Sequence, residues 1–185
     1  MTERAIGDRI VVIGTTGAGK TTMAGRLSSK FGIPHIEIDA LFWKPNWGET
    51  PDDEFLPKVE QATRGDRWVI DGNYSRTRSI VWRRAETVVW LDYRFVRIFF
   101  QLLRRTLRRC VTREELWENC YEGFGSAVFS RDSILVWLFK TYARRRRNVP
   151  VVLADPAYRH LTVHRFRTPR QARRWFDALR VETDG

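Results

Sequence analysis

The residues best suited to chemistry lie near the N-terminus. Residues 14–21 are Gly-Thr-Thr-Gly-Ala-Gly-Lys-Thr, which matches the pattern GxxxxGK[ST]. In such a loop the backbone N–H groups point at phosphate oxygens, the lysine reaches the terminal phosphates, and the threonine hydroxyl binds Mg²⁺. We therefore predict a catalytic Lys20, a metal ligand at Thr21, and an ATP phosphate site on Gly14, Thr15, Thr16, Gly17, Ala18, Gly19, Lys20, Thr21 and Thr22.

The surroundings of this loop strengthen the prediction. Residues 9–13 form a short run of β-branched residues, and the stretch after the loop carries Met23, Leu27 and Phe31 at helical spacing. Gly32 then marks the end of the helix. The predicted order is strand, glycine-rich loop and helix, which places the partial positive charge of the helix start at the phosphates.

Aspartates end three further predicted strands. Asp39 closes residues 34–39, Asp71 closes residues 67–71, and Asp92 closes residues 87–92. Asp71 fits a carboxylate that binds Mg²⁺ through water, and an ordinary Asp-Gly turn is the alternative. For Asp92 we favour an N-cap of the following helix over a role in the site.

The alternation of strands and helices predicts the fold class. With residues 160–166 as a fifth strand, we expect an α/β fold of three layers, in which a five-stranded parallel sheet lies between helices. Ligands of such sheets bind at the carboxyl ends of the strands. We treat residues 1–185 as a single domain.

The charge of the chain is strongly positive. The net charge is +11, with 28 Arg against 5 Lys, and residues 94–147 hold 13 basic and 5 acidic residues. Such a field favours an anionic partner: nucleotide phosphates, nucleic acid or an anionic membrane. The 8 tryptophans keep binding of single-stranded nucleic acid open, and the amphipathic helix predicted over residues 93–109 keeps membrane association open.

Other features of the sequence exclude several classes. The uncharged stretches fall well short of the ~18 residues that a membrane span needs. Two cysteines are too few for a tetrahedral structural zinc site, and a reduced cytoplasmic protein is the simplest expectation. The Asn-Lys-x-Asp guanine motif of signalling GTPases does not occur in the sequence.

Four stretches together resemble one family. In this order, GTTGAGKTT, HIEIDALFWKPNW, WVIDGNYSRT and TVVWLD are similar to adenylate-kinase-related P-loop kinases, nearest to the group labelled FlaR-like or topology modulation protein. The stretch DGNYSRT corresponds to the adenylate-kinase stretch DGFPRT, with Asn73-Tyr74-Ser75 in place of Phe-Pro. The resemblance implies a P-loop kinase domain with a small helical lid over residues 104–125.

The resemblance also implies roles for individual residues. An insertion over residues 40–66 would bind the phosphoryl acceptor, and arginines beside the lid would clamp phosphates. The implied catalytic arginines are Arg104, Arg108 and Arg144. The implied acceptor-binding residues are Asp39, Trp43, Asp71, Gly72, Asn73 and Arg76, and the implied metal site is Thr21 with Asp71.

These features predict an ATP- and Mg²⁺-dependent phosphotransferase that acts on a small molecule or a nucleoside monophosphate. The acceptor group, phosphate or hydroxyl, stays open. A hydroxyl needs a carboxylate to take its proton, and Asp39 is the candidate for this base. The alternative function is a P-loop ATPase that binds nucleic acid, and the oligomeric state is open.

Overall fold

The computed structural model describes residues 6–45, 48–112, 115–117, 120–121 and 134–180. The nine strands of this part are β1 (Arg9–Gly14), β2 (His35–Glu37), β3 (Trp43–Lys44), β4 (Gly48–Glu49), β5 (Trp68–Asp71), β6 (Thr87–Leu91), β7 (Glu115–Trp117), β8 (Cys120–Tyr121) and β9 (Thr162–Phe166). Its seven α-helices are α1 (Lys20–Phe31), α2 (Ile38–Phe42), α3 (Asp52–Ala62), α4 (Arg78–Arg84), α5 (Phe95–Thr112), α6 (Ile134–Leu153) and α7 (Pro169–Ala178).

A five-stranded sheet in the order β2-β5-β1-β6-β9 forms the centre of the fold. All of its pairings are parallel, with Val12 beside Asp71, Glu37 beside Asp71, and Gly14 beside Leu91. The predicted five-stranded parallel sheet is therefore confirmed. Because β1 lies between β5 and β6, the loop after β1 emerges at the middle of the carboxyl edge.

Two apolar clusters cover the two faces of the sheet. Ile10, Val12 and Val69 pack on one face with Leu27 of α1 and Leu102 of α5. Val11, Ile13, Ile70, Val88 and Trp90 pack on the other face with residues of α2, α3 and α4. The strands therefore bury both of their faces, as their continuous apolar runs predict.

Helix α6 connects the two clusters. Leu138, near its start, belongs to the cluster that contains α1 and α5. Val149, near its end, belongs to the cluster that contains α2, α3 and α4. The stretch between these two residues carries Arg144 to Arg147, and Arg146 lies beside Asp92 at the carboxyl end of β6. The four arginines thus pass across the carboxyl edge of the sheet.

The second strand is shorter than the sequence predicts. We expected residues 34–39 to form a strand that ends at Asp39, but β2 ends at Glu37 and α2 begins at Ile38. The cause is the partner strand, because β5 ends at Asp71, which lies beside Glu37. Asp39 has no strand to pair with and lies in the first turn of α2.

The preferred role of Asp92 as a helix cap is wrong. Helix α5 begins at Phe95, and the Asp92 side chain is buried, with the residue 5% exposed. Its Oδ2 accepts hydrogen bonds from Arg165 Nε and Nη2 at 3.0 and 2.6 Å, and Arg146 Nε lies 3.3 Å from its Oδ1. A buried carboxylate needs such partners, so Asp92 joins β6, β9 and α6.

The lid prediction, residues 104–125, is described only in part. Residues 104–112 end helix α5, and strands β7 and β8 form an antiparallel hairpin in place of helix. The remaining residues of the range lie outside the described part of the chain. The insertion over residues 40–66 contains α2, the hairpin of β3 and β4, and α3.

We predict that Asp92→Asn lowers the free energy of unfolding by about 2 kcal/mol, because a buried charge-assisted pair loses its charge. Urea denaturation at neutral pH measures this change. The control is Asp177→Asn, since Asp177 is exposed and lies 3.4 Å from Arg26; its effect should stay within about 0.5 kcal/mol. Equal effects of the two variants would show that the buried network does not stabilise the fold.

Candidate functional site

The loop after β1 has the shape of a phosphate-binding cradle. Gly17 has a φ of +76°, and a Cβ at this position would lie 3.0 Å from Leu102 Cβ of α5. Only glycine combines this backbone conformation with so close a neighbour. The start of the loop is held by Asn73, whose Nδ2 donates a hydrogen bond to Gly14 O at 3.1 Å. Asn73, predicted as an acceptor residue, thus contacts the loop.

Thr21 and Asp71 lie together beside the start of α1. Thr21 Oγ1 donates a hydrogen bond to Asp71 Oδ2 at 2.6 Å, and Asp71 is 4% exposed. His35 Nε2 lies 3.4 Å from the other carboxylate oxygen of Asp71. Mg²⁺ prefers oxygen ligands, keeps several waters, and is bound by one or two protein groups together with phosphates. The predicted pair of Thr21 and Asp71 fits this ion.

The described residues contain no group of three His, Cys, Asp or Glu side chains placed to hold a metal ion. Any Mg²⁺ ion at Thr21 and Asp71 would need the nucleotide phosphates and water as further ligands.

Lys20 is partly buried between groups of both signs. Burial lowers its pKa, and the carboxylates of Asp39 and Asp71 oppose this change. Arg145 of α6 and Arg105 of α5 lower the pKa of Lys20 further. Lys20, at the start of α1, is therefore within electrostatic range of two carboxylates and two arginines.

A second group of residues lies between β5 and α2. Tyr74 donates its hydroxyl hydrogen bond to Asp39 Oδ1 at 2.7 Å. Its ring centroid lies 4.9 Å from that of Phe42 and 5.5 Å from that of Phe55, and these two centroids are 5.2 Å apart, so the three rings form one aromatic cluster. Burial, followed by the charge of Asp39, raises the pKa of Tyr74 far above its usual range. The tyrosine therefore stays protonated and donates.

Gly72 brings these elements together. A Cβ on Gly72 would lie 2.7 Å from Ile38 Cβ, so a side chain would push α2 away from the end of β5. The glycine predicted as an acceptor residue therefore acts through close packing of the backbone. This packing places Asp39 of α2 beside Tyr74.

Arg76 and Trp43, the other predicted acceptor residues, contact this group from its outer side. Arg76 forms an ion pair with Asp52 of α3, and its Cζ lies 4.8 Å from the ring centroid of Phe42. Trp43 is half-buried at the start of β3, with its ring centroid 4.8 Å from that of Phe42. Both therefore pack against Phe42. Asp39, in the same helix as Phe42, is exposed.

The arginines within electrostatic range of Lys20 include two that we did not predict, Arg105 and Arg145. Arg104, Arg108 and Arg144 are exposed, whereas Arg105 and Arg145 are half-buried. Burial, together with the neighbouring Arg144, lowers the pKa of Arg145, and Asp39 and Tyr74 oppose this change. Arg145 therefore lies within electrostatic range of Lys20 and of the pair of Asp39 and Tyr74.

Sequence reasoning also missed Tyr74 and Glu37. Glu37 ends β2 beside Asp71, and burial followed by the charge of Asp71 raises its pKa. A signal for Tyr74 was present, because it lies where the chain departs from the DGFPRT pattern. The choice between adjacent arginines had no such signal, since Arg104-Arg105 and Arg144-Arg145 are tandem pairs.

Curated proteins match the chain over short segments. The chain is 56% identical over 34 residues to an adenylate kinase of Rhodococcus erythropolis, which covers 18% of this chain and 19% of that protein. It is 33% identical over 70 residues to a cytidylate kinase of Maridesulfovibrio salexigens, which covers 37% and 31%. It is 54% identical over 41 residues to an adenylate kinase of Corynebacterium glutamicum, which covers 22% of each.

The chain thus spans less than a third of the length of these curated relatives. No protein-family model matches the chain. The expected place in the FlaR-like group stays a prediction.

Solved structures match the whole fold. A gluconokinase from Sinorhizobium meliloti 1021 gives a TM-score of 0.52 at 18% identity, over 96% of this chain and 95% of that chain. A shikimate kinase from Bacteroides thetaiotaomicron gives 0.54 at 15% identity, over 92% and 95%. At such identities the similarity concerns the fold, and the chain has the P-loop kinase fold. Among the described residues, no helix has the length and apolar character needed to cross a membrane.

We predict that Lys20→Met raises the free energy of unfolding of the nucleotide-free protein by about 1 kcal/mol at pH 7, because a buried charge is removed. Below its folded-state pKa, Lys20 is charged in both states and the folded state bears the full cost of burial. As the pH rises through the folded-state pKa, Lys20 loses its proton in the folded state first. The stability that Lys20→Met adds therefore shrinks as the pH approaches 10.5, the ordinary pKa of a lysine.

Urea denaturation between pH 6 and pH 10 measures this effect. The control is Lys58→Met, since Lys58 lies exposed on α3; it should change the stability by less than about 0.5 kcal/mol. A Lys20→Met protein less stable than the wild type at pH 7 would contradict the prediction.

Proposed function

We propose that this protein is an ATP-dependent phosphotransferase that transfers the γ-phosphoryl group of ATP to a small-molecule acceptor. The observation that carries the proposal is the hydrogen bond between Thr21 and Asp71 at the end of the GxxxxGK[ST] loop. It brings a hydroxyl and a buried carboxylate together beside the phosphate cradle, as Mg·ATP requires. The P-loop kinase fold and the short matches to adenylate and cytidylate kinases support it.

Each group of this chain has a distinct task in the reaction. The loop N–H groups and Lys20 bind the β- and γ-phosphates, and Asn73 keeps the loop in shape through Gly14. Thr21 and Asp71 would hold Mg²⁺, Asp71 through water, and the ion would supply charge stabilisation between the phosphates. Since the reaction consumes ATP, we expect it to take place in the cytoplasm.

Arginines supply the positive charge that the moving phosphoryl group needs. We propose Arg105 and Arg145 for this task, because both are half-buried and both lower the pKa of Lys20. Arg104, Arg108 and Arg144 stay candidates for exposed contacts to the outer phosphates. An arginine remains protonated even when burial lowers its pKa, so Arg145 is a permanent cation at the site.

The similar proteins suggest two kinds of acceptor. Adenylate and cytidylate kinases are named for nucleotides that carry a phosphate, whereas gluconokinase and shikimate kinase are named for hydroxyl compounds. In this chain the acceptor would enter between α2, the end of β5 and α6, where Asp39, Tyr74 and Arg145 lie. This region lies near the loop, because the charge of Asp39 raises the pKa of Lys20.

We predict that Lys20→Met lowers ATP hydrolysis in the absence of an acceptor by about 100-fold, because the terminal phosphate loses its closest cation. Release of ADP measures the rate, with Lys58→Met as the control that retains it. Since the variant should be at least as stable as the wild type, lost activity cannot be assigned to unfolding. Unchanged turnover would overturn the proposed function.

We predict that Arg145→Ala lowers the same rate by about 100-fold, while Arg144→Ala lowers it less than about tenfold. The two substitutions are at adjacent positions of α6 and remove equal charge. A difference between their effects therefore reflects the direction in which each side chain points. Arg105→Ala and Arg104→Ala form a second matched pair on α5. A larger loss in Arg144→Ala would reverse our assignment of the arginine that faces the phosphates.

A further inference from the structure

Arg76 is the first residue that bears on the chemical class of the acceptor. Its guanidinium forms an ion pair with Asp52 and lies 4.8 Å from the Phe42 ring centroid and 5.5 Å from that of Phe55. Both rings also hold Tyr74. An acceptor phosphate at Arg76 would have to displace a carboxylate and an aromatic contact. Arg76 thus stabilises one wall of the proposed acceptor region, which is formed by Phe42, Phe55 and Tyr74.

Tyr74 and Asp39 form the inner surface of that wall. The Tyr74 hydroxyl donates a hydrogen bond to one carboxylate oxygen of Asp39, and its ring packs in one cluster with Phe42 and Phe55. Asp39 is exposed, so a bound molecule can reach its carboxylate. A carboxylate fixed on one side and accessible on the other is suited to accept a hydrogen bond from a hydroxyl.

The charges around Asp39 favour a neutral group at this point. Asp39 and Asp71 both raise the pKa of Glu37, so three carboxylates lie within electrostatic range of one another. Among the described residues, Lys20 and Arg145 are cations within electrostatic range of Asp39. Of these two cations, we assign Lys20 to binding the phosphates of ATP. A phosphate monoester placed against Asp39 would meet like charge, whereas a hydroxyl would meet a hydrogen-bond acceptor.

We propose that the acceptor is a hydroxyl compound that docks on Asp39, and that Tyr74 is the positioning residue that holds Asp39 for it. This inference rests on the proposed function. The acceptor oxygen forms a bond to the γ-phosphorus, its proton passes to Asp39, and the bond from phosphorus to the bridging oxygen breaks. ADP leaves with that electron pair. Arg145, which faces the pair, neutralises charge on the phosphoryl group as it crosses.

The first experiment supplies ATP and Mg²⁺ with two panels of acceptors and follows the products by phosphorus NMR. One panel holds AMP, CMP, GMP and UMP, and the other holds phosphate-free polyols and hydroxy acids, gluconate and shikimate among them. Formation of a phosphate monoester in the second panel is the expected result. Formation of a nucleoside diphosphate would overturn the inference and leave the phosphotransferase proposal standing.

The second experiment uses water as the acceptor, so it tests the role of Tyr74 even when neither panel reacts. Tyr74→Phe should lower the rate of ATP hydrolysis about tenfold, leave KM for ATP within about twofold, and move the acid limb of the pH profile up by about one unit. The ionised carboxylate has then lost one hydrogen bond, while Lys20, Glu37 and Arg145 still face it.

Two controls separate positioning from a general structural effect. Tyr158→Phe removes a hydroxyl from a tyrosine that packs on Trp82, and should leave the profile in place. In an Asp39→Asn background, Tyr74→Phe should cause no further loss. An unmoved profile in Tyr74→Phe, or additive losses, would overturn the role of Tyr74. A protein that neither binds nor hydrolyses ATP would instead overturn the proposed function.

Discussion

The hydrogen bond from Thr21 to Asp71 is the contact on which the rest of the site depends. Asp71 is buried at the end of β5 and cannot remain there without partners. Thr21 satisfies one of its oxygens from the first turn of α1, which joins the phosphate loop to the neighbouring strand. Because Asp71 also ends the pairing of β2, it sets where α2 begins. The loop after β1 and the start of α2 are thus both positioned by one carboxylate.

Helix α6 is the second constraint, because it contacts the apolar clusters on both faces of the sheet. One end packs with α5 and the other end belongs to the opposite cluster, so the arginines between them must pass the carboxyl edge. Asp92 holds the middle of the helix through Arg146 and is itself held by Arg165 of β9. A buried ion pair at the carboxyl end of β6, next to the strand that leads into the phosphate loop, therefore aligns the helix that carries Arg145.

The fold was predictable because its signals are local and repeated. Apolar strands, the glycine-rich loop and the terminal residues of the strands identify the parallel sheet and the loop without long-range information. Asp39 was found in the right region but in the wrong element, since the end of a strand depends on the length of its partner. Tyr74 was missed because its hydrogen bond joins residues 35 positions apart. Arg104 and Arg105 could not be separated, because adjacent residues on a helix differ by about 100° and both are arginine.

The crossing of α6 has a consequence for how the chain tolerates changes of length. Each residue added to a helix rotates everything after it by about 100° and advances it by about 1.5 Å. Between Leu138 and Val149 both ends are fixed in packed clusters, so one inserted residue would have to turn Arg145 away from Lys20 or pull Val149 out of its cluster. The separation of eleven residues between Leu138 and Val149 is therefore fixed by packing at both ends. Length variation is instead expected in connections, such as that between the paired segments β3 and β4, that do not join the two faces.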